Sequence, residues 1–138
     1  MAAHWLSLRT TVSAVENLDV ICDSIAWLSG EPDSTKVNKT KSHHGSSMYS
    51  VTCKLTKNKS IQCVLDNLGD EIKAELVANS LQRLDSNDCM HFRVSKASLV
   101  AGKPEISPPG SSSSVKFSIK IKKFGDQSTI QQITELLG

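Results

Sequence analysis

Four segments of this chain alternate apolar with polar residues, and this alternation restricts the possible fold more than any other feature. The segments are residues 4–12, 47–56, 89–94 and 115–122. A repeat of two residues turns successive side chains to opposite faces of a β-strand, so each segment predicts a strand buried on one face only. Strands of a fully covered parallel sheet would instead be apolar on both faces. The predicted inward residues are Leu6, Leu8 and Val12; Tyr49, Val51, Cys53 and Leu55; Met90, Phe92 and Val94; and Val115, Phe117, Ile119 and Ile121.

Segments with helical spacing of apolar residues separate these strands. Ser13 and Glu16 have the spacing of a capping box, which predicts the start of a helix that ends at Gly30. Two leucine-rich helices are predicted at residues 61–68 and 70–84. The predicted buried stripe of the first helix is Val20, Ile21, Ile25 and Leu28. The order of elements predicts an α+β fold, a two-layer sandwich with helices on one face of a mainly antiparallel sheet.

The length of 138 residues fits one domain with its own hydrophobic core. We expect a single domain over residues 1–138, with a flexible Pro- and Ser-rich loop at residues 103–114 and a helix at residues 128–137. No apolar run reaches the roughly 18 residues that cross a bilayer. Residues 1–8 also lack the basic and apolar regions of a signal peptide. We therefore expect neither a membrane protein nor a secreted one.

Charge is distributed in alternating blocks, although the net charge is only +2. Residues 36–59 contain six lysines and no acidic residue, and residues 89–123 contain seven Lys or Arg residues against one Glu. Acidic residues predominate in the rest of the chain, which contains the predicted helices. The pattern predicts a basic sheet opposite a more acidic helical layer. A basic open sheet is suited to contacts with RNA phosphates.

We expect the open face of the sheet and the adjoining basic segment to bind RNA. The candidate residues taken from strand phase and charge are Arg9, Lys39, Lys41, Lys54, Arg93, Lys116, Lys120 and Lys122. An alternative for the lysines of residues 116–122 is protection of an exposed sheet edge, where lysine discourages aggregation. Trp5 is also on the polar face, where it could pack in a dimer, cover a sheet edge or stack on a base.

The cysteines and histidines form no metal or catalytic motif. Four cysteines without C-x-x-C spacing predict buried, reduced thiols, and hence a cytoplasmic protein. His43 and His44 are adjacent, so their side chains point in different directions, and no carboxylate lies nearby in sequence to orient them. A metal-dependent hydrolase would depend on these two residues alone. We therefore expect a protein that is not an enzyme and uses no cofactor or metal.

Four short features, in order and at characteristic distances, give the chain a family resemblance. They are a strand running into an Ala-x-Glu helix start at residues 12–16, a His-Gly turn at residues 44–45, paired leucine-rich helices at residues 61–84, and a strand ending in Arg-x-x-Lys at residues 93–96 with a glycine downstream. In these features, over residues 4–123, the chain resembles archaeal predicted RNA-binding proteins described as exosome subunits. Ser95 stands where that family usually has an acidic residue.

The resemblance implies an α+β fold like that of the large-subunit ribosomal protein that binds 5S rRNA. It also implies contacts with RNA at His44, Gly45, Arg93 and Lys96. The main hypothesis is a non-enzymatic RNA-binding protein, an accessory to RNA processing or to the exosome. The alternative is a protein-interaction module that forms a homodimer through the open sheet face or an edge strand.

Overall fold

A computed structural model describes residues 3–13, 15–41, 47–107, 114–121 and 137 of the protein. Its five strands are β1 (Ala3–Ser13), β2 (Thr35–Lys41), β3 (Ser47–Leu55), β4 (Cys89–Ser95) and β5 (Ser114–Ile121). Its helices are α1 (Leu18–Ser29), α2 (Asn58–Leu68), α3 (Asp70–Ala78), α4 (Ser80–Arg83) and α5 (Lys96–Val100), with a 3₁₀ turn at Pro32–Ser34. The strands form one antiparallel sheet in the order β2-β3-β1-β5-β4. The predicted two-layer α+β fold is confirmed.

One face of the sheet forms the hydrophobic core together with the helices. Every predicted inward residue of β1, β3, β4 and β5 is buried, except Tyr49, which is partly buried and packs against the core. Ile25, Leu28, Ile61, Leu65 and Leu76 cover this face from α1, α2 and α3. The alternation therefore predicted the phase of these four strands correctly, because burial on one side only requires a period of two.

The start of α1 differs from the predicted capping box. The side chain of Asn17 caps the helix, accepting a hydrogen bond from the backbone N–H of Val20 at 3.2 Å. Ser13 instead donates to the carboxylate of Glu16 at 3.3 Å, outside the helix. Val20 was predicted to be buried, but it is one of the exposed large hydrophobic residues of α1. Gly30 ends the helix as predicted, in the left-handed conformation with φ of 69°.

Two short helices were not predicted. The single helix predicted at residues 70–84 is interrupted at Asn79, so that α3 and α4 are separate. α5 follows β4 directly, and Ser95 caps it by accepting a hydrogen bond from the backbone N–H of Ser98 at 3.3 Å. Only one apolar side chain of α5, Leu99, is buried, and a five-residue segment with one buried apolar position shows no helical period.

Several predicted features lie outside the described residues. They are the histidine turn with His43, His44 and Gly45, residues 108–113 of the Pro- and Ser-rich loop, Lys122, and all but Leu137 of the C-terminal helix. Leu137 is helical and only 4% exposed, and it belongs to the core.

All four cysteines are free thiols. Cys53 and Cys89 are buried, whereas Cys22 and Cys63 are partly buried. Burial raises the pKa of the Cys53 and Cys89 thiols, because removal from water disfavours the thiolate. The neutral thiol is therefore favoured at these two positions.

Candidate nucleic-acid interface

The register of the sheet aligns basic side chains from four strands. Lys36 of β2 pairs with Thr52 of β3, Thr52 with Arg9 of β1, Arg9 with Lys116 of β5, and Lys116 with Arg93 of β4. All five residues have the phase opposite to the buried side chains, so they share the open face. We call the four cations, Lys36, Arg9, Lys116 and Arg93, the basic row. Four gaps between neighbouring strands make it about 19 Å long.

The arrangement places like charges directly beside one another. Arg9 lies opposite Lys116, and Lys116 lies opposite Arg93, without an intervening acidic residue. None of the five strands contains Asp or Glu. Like charges on directly paired strand residues are destabilising, and an anion lying across them would relieve the repulsion. The basic row is therefore suited electrostatically to a negatively charged ligand.

Further polar residues extend the basic row along the strands. A second line of paired residues lies two positions further along the strands on the same face: Lys54 pairs with Ser7, Ser7 with Ser118, and Ser118 with His91. The ammonium group of Lys54 lies 5.1 Å from the centroid of the Trp5 ring. A concavity of about 610 Å³ opens here, lined by Ser7, Arg9, Lys36, Lys54, Lys116 and Ser118, among others, and no acidic residue of the described ranges lines it.

A chain of hydrogen bonds orders the β4 side of the open face. His91 Nδ1 lies 2.9 Å from the hydroxyl of Ser118, and His91 Nε2 lies 2.7 Å from Oδ2 of Asp85. Oδ1 of Asp85 also accepts hydrogen bonds from the backbone N–H groups of Asn87, at 2.8 Å, and Cys89, at 3.0 Å. These bonds, that from His91 first, lower the pKa of Asp85 to about 2. The Asp85 carboxylate is thus held at the turn before β4.

The structure places five predicted site residues on the open face: Arg9, Lys54, Arg93, Lys116 and Lys120. Lys120 donates a hydrogen bond to the backbone carbonyl of Asn87. The proposal that lysines of β5 protect an edge is wrong for Lys116 and Lys120, because β5 pairs with both β1 and β4. Trp5 likewise does not cover an edge, because β1 is the central strand.

Two predicted residues of β2 lie on the other phase. Lys39 pairs with Tyr49 and Lys41 with Ser47, in the phase of the core-facing residues of β3. They are exposed beside the helical layer rather than on the open face. Lys36 has the open-face phase and is not among the residues that the sequence predicted for RNA binding. The only available signal was Val37, which pairs with the buried Val51 and so has the inward phase, although its side chain is exposed.

Lys96 occupies a structural position rather than one on the open face. It is only 6% exposed and donates to the backbone carbonyl of Thr11 at 2.6 Å and to Glu16 at 2.9 Å. The bond from Lys96 lowers the pKa of Glu16. Because the ammonium group is buried and bonded, it does not face a ligand on the sheet, and we leave Lys96 out of the proposed surface.

The described part of the chain offers neither a metal site nor a membrane-spanning helix. No group of three or more His, Cys, Asp or Glu side chains among the described residues is arranged to hold a metal ion. No helix in the described ranges is long and apolar enough to span a membrane.

The fold has close counterparts among solved structures. The DUF54 protein Mth689 from Methanothermobacter thermautotrophicus aligns with a TM-score of 0.79 and 13% identity over 100% of both chains. Protein AF2318 from Archaeglobus fulgidus aligns with a TM-score of 0.71 and 20% identity, covering 96% of this chain and 95% of its own. Protein SSO0741 from Sulfolobus solfataricus gives 0.73 and 13% identity over 96% of both chains. At these identities the likeness establishes the fold alone.

Sequence comparison assigns a family. No curated protein matches the chain. A family model described as RNA binding matches residues 5–122, which include four strands completely and β1 from Trp5 onward. The chain belongs to this RNA-binding family.

Proposed function

We propose that the protein binds RNA through the open face of its sheet, with the basic row contacting successive phosphates. The observation that carries the proposal is the alignment of Lys36, Arg9, Lys116 and Arg93 across the sheet in strands that contain no acidic residue. Membership of the RNA-binding family supports the choice of RNA among possible anions. Lysine and arginine contacts with phosphates supply affinity without requiring a particular base sequence.

The residues around the basic row add contacts of other kinds. The hydroxyl groups of Ser7, Thr52 and Ser118 face the same side and can donate to phosphate or ribose oxygens. Trp5 lies beside Lys54, so an unpaired base could stack on the ring if the ammonium group moved to a phosphate. Single-stranded or locally unpaired RNA would use both kinds of contact.

A salt titration of the wild-type protein tests the proposal. Binding of a labelled 20-nucleotide RNA is measured by fluorescence anisotropy between 50 and 200 mM KCl. Each phosphate contact on single-stranded RNA contributes about −0.7 to the slope of log K against log salt, so the basic row alone predicts a slope of about −2.8. Absence of binding at 50 mM KCl, or a slope near zero, would contradict the proposal.

The narrower role rests on the family resemblance. We propose a non-enzymatic accessory of RNA processing in the cytoplasm, associated with the exosome, with a fold shared with the 5S-rRNA-binding ribosomal protein. A tagged copy expressed in its source cells should then co-purify with RNA and with processing nucleases. Loss of those nucleases after ribonuclease treatment would show that RNA alone links them.

Two features of the sheet edges argue against the alternative, a homodimer formed by pairing of edge strands. The outer side of β2 carries lysines, which disfavour pairing between edge strands. The outer side of β4 is partly capped, because Cys89 and Arg93 accept backbone hydrogen bonds through their carbonyl oxygens from Asp85 and Ser107. These features favour RNA binding over edge pairing. Light scattering at high concentration tests this preference, and a dimer that dissociates on mutation of β2 would contradict it.

A further inference from the structure

A second concavity, of about 490 Å³, lies where the basic row reaches β4. We call it the β4-edge pocket. Its walls include Arg83, Leu84, His91, Arg93, Ser107 and Lys116. Arg93 and Lys116 also belong to the basic row, so the pocket continues the proposed RNA-binding surface. Arg83 adds a third cation from a different part of the chain, α4.

Protein closes the outer side of this pocket. Ser107 donates its backbone N–H to the carbonyl of Arg93 at 2.8 Å, and Asp85 donates to the carbonyl of Cys89 at 2.9 Å. The segments on either side of β4 are therefore bonded to its outer edge, with Leu84 and Ser107 forming part of the wall. At the other end of the basic row, β2 is the last strand of the sheet. A strand of RNA that follows the basic row can extend past β2, whereas at β4 it meets a pocket with Leu84 and Ser107 in its lining.

The side chain of Arg83 is held in place but retains donors. Its Nη2 donates to Oε1 of Glu75 at 2.8 Å, which anchors the guanidinium group. A guanidinium group has five N–H donors, and Nε of Arg83 is buried without a hydrogen-bond partner among the described residues. Arginine donors pair readily with phosphate oxygens. The pocket is thus lined by a fixed arginine with one unsatisfied donor, whose positive charge attracts an anion.

The charge balance of the pocket favours an anion with more than one negative charge. Three cations, Arg83, Arg93 and Lys116, line it. Asp85 also lines the pocket, but its carboxylate is bonded to His91 and to two backbone N–H groups, and the carboxylate of Glu75 is bonded to Arg83. An internal RNA phosphate carries one negative charge, whereas a phosphate monoester carries about −1.5 to −2 at pH 7 and has three exposed oxygens.

From this geometry we propose that the β4-edge pocket binds the terminal phosphate of an RNA strand that lies along the basic row. This inference depends on the proposed function, because the rest of the strand must occupy the open face. The 5′- and 3′-phosphates have the same chemistry, and the experiment distinguishes them.

The test compares three oligonucleotides of one sequence with an internal fluorescent label. One has a 5′-phosphate, one has a 3′-phosphate, and one has hydroxyl groups at both ends. At 100 mM KCl we expect one phosphorylated form to bind at least about tenfold more tightly than the hydroxyl form, since charge-assisted bonds to a buried phosphate are strong. In Arg83→Gln the two forms should bind with nearly equal affinity. Lys39→Gln, which removes the same charge from the opposite phase of the sheet, should preserve the wild-type ratio of affinities.

The outcomes separate the two proposals. Equal affinity of the wild-type protein for all three oligonucleotides would overturn the proposal that the pocket binds a terminal phosphate, while leaving the proposed RNA binding intact. A preference of equal size in wild type and Arg83→Gln would also overturn it, because general charge attraction would then be the cause. No binding of any oligonucleotide at 50 mM KCl would contradict the proposed function itself. If Arg83→Gln fails to fold, as judged by circular dichroism, Arg83→Lys replaces it and should reduce the ratio, because lysine lacks the paired donors.

Discussion

Removing two neighbouring cations from the basic row should weaken the salt dependence of RNA binding. The test variant is Arg9→Gln with Lys116→Gln, which removes side chains from directly paired positions of β1 and β5. The matched control is Lys39→Gln with Lys41→Gln, which removes two exposed lysines on the other phase of β2. Both double variants change the net charge equally, so their effects on the long-range field of the protein are similar.

The magnitude follows from the number of contacts. Among the described residues, the open face carries six Lys or Arg side chains: the four of the basic row together with Lys54 and Lys120. At about −0.7 per phosphate on single-stranded RNA, they predict a slope of about −4.2, or a loss of affinity of about 300-fold between 50 and 200 mM KCl. The test variant should have a slope of about −2.8 and lose about 50-fold. The control should keep the wild-type slope.

A stability measurement completes this experiment. Arg9 and Lys116 repel each other across paired strands. The free energy of unfolding of the test variant should therefore be unchanged or higher, by up to about 1 kcal/mol. Urea denaturation of both variants measures this change. The reasoning is refuted if the control lowers the slope as much as the test variant does, or if the test variant loses affinity only because it unfolds.

Three further substitutions test the structural framework. Lys96→Met should lower the free energy of unfolding by about 1–3 kcal/mol, because the Thr11 carbonyl and Glu16 lose their buried partner, yet leave the RNA salt slope unchanged. An altered slope in the folded variant would return Lys96 to the binding surface. Asp85 has a pKa of about 2, below its ordinary 3.8, so its ionised form stabilises the fold above about pH 4 and loses this effect towards pH 2. The difference in melting temperature between wild type and Asp85→Asn should therefore shrink over that range, and a constant difference would contradict the assignment. Gly30→Ala should cost about 1–2 kcal/mol in urea denaturation, because φ is positive there and the new Cβ would lie 3.2 Å from Sγ of Cys63.

The sequence was sufficient to predict the layers of the fold and the direction of most side chains. β1, β3, β4 and β5 each contain at least three apolar residues in alternation, and burial of one face determines their phase. β2 contains only one apolar residue, Val37, so its phase was not evident. For this reason Lys39 and Lys41, and not Lys36, were predicted to bind RNA. A single apolar residue is a weak signal because exposed valines are common in folded proteins.

The alignment of the basic row could not be predicted. It depends on the order of the strands and on their register, which arise from contacts between residues far apart in the chain. Lys96 shows the same limitation in another form. Its basic side chain follows Arg93 closely in sequence, but the start of α5 turns it towards Thr11 and Glu16, more than 75 residues earlier. Charge alone could not distinguish a buried ion pair from a ligand contact.

The position of β5 in the sheet has a consequence for biosynthesis. β5 is the last described strand in chain order, yet it lies between β1 and β4. The hydroxyl group of Thr10 in β1 donates a hydrogen bond to the backbone carbonyl of Ser114, which is 104 positions later in the chain. While the chain is emerging from the ribosome, β1 lacks one neighbour and β4 has no strand to pair with until β5 has been made. Co-translational folding must therefore wait for β5, and an open β1 edge at this stage is a site where nascent chains can associate. Because β5 also supplies Lys116, the proposed RNA-binding surface is completed only when the sheet is.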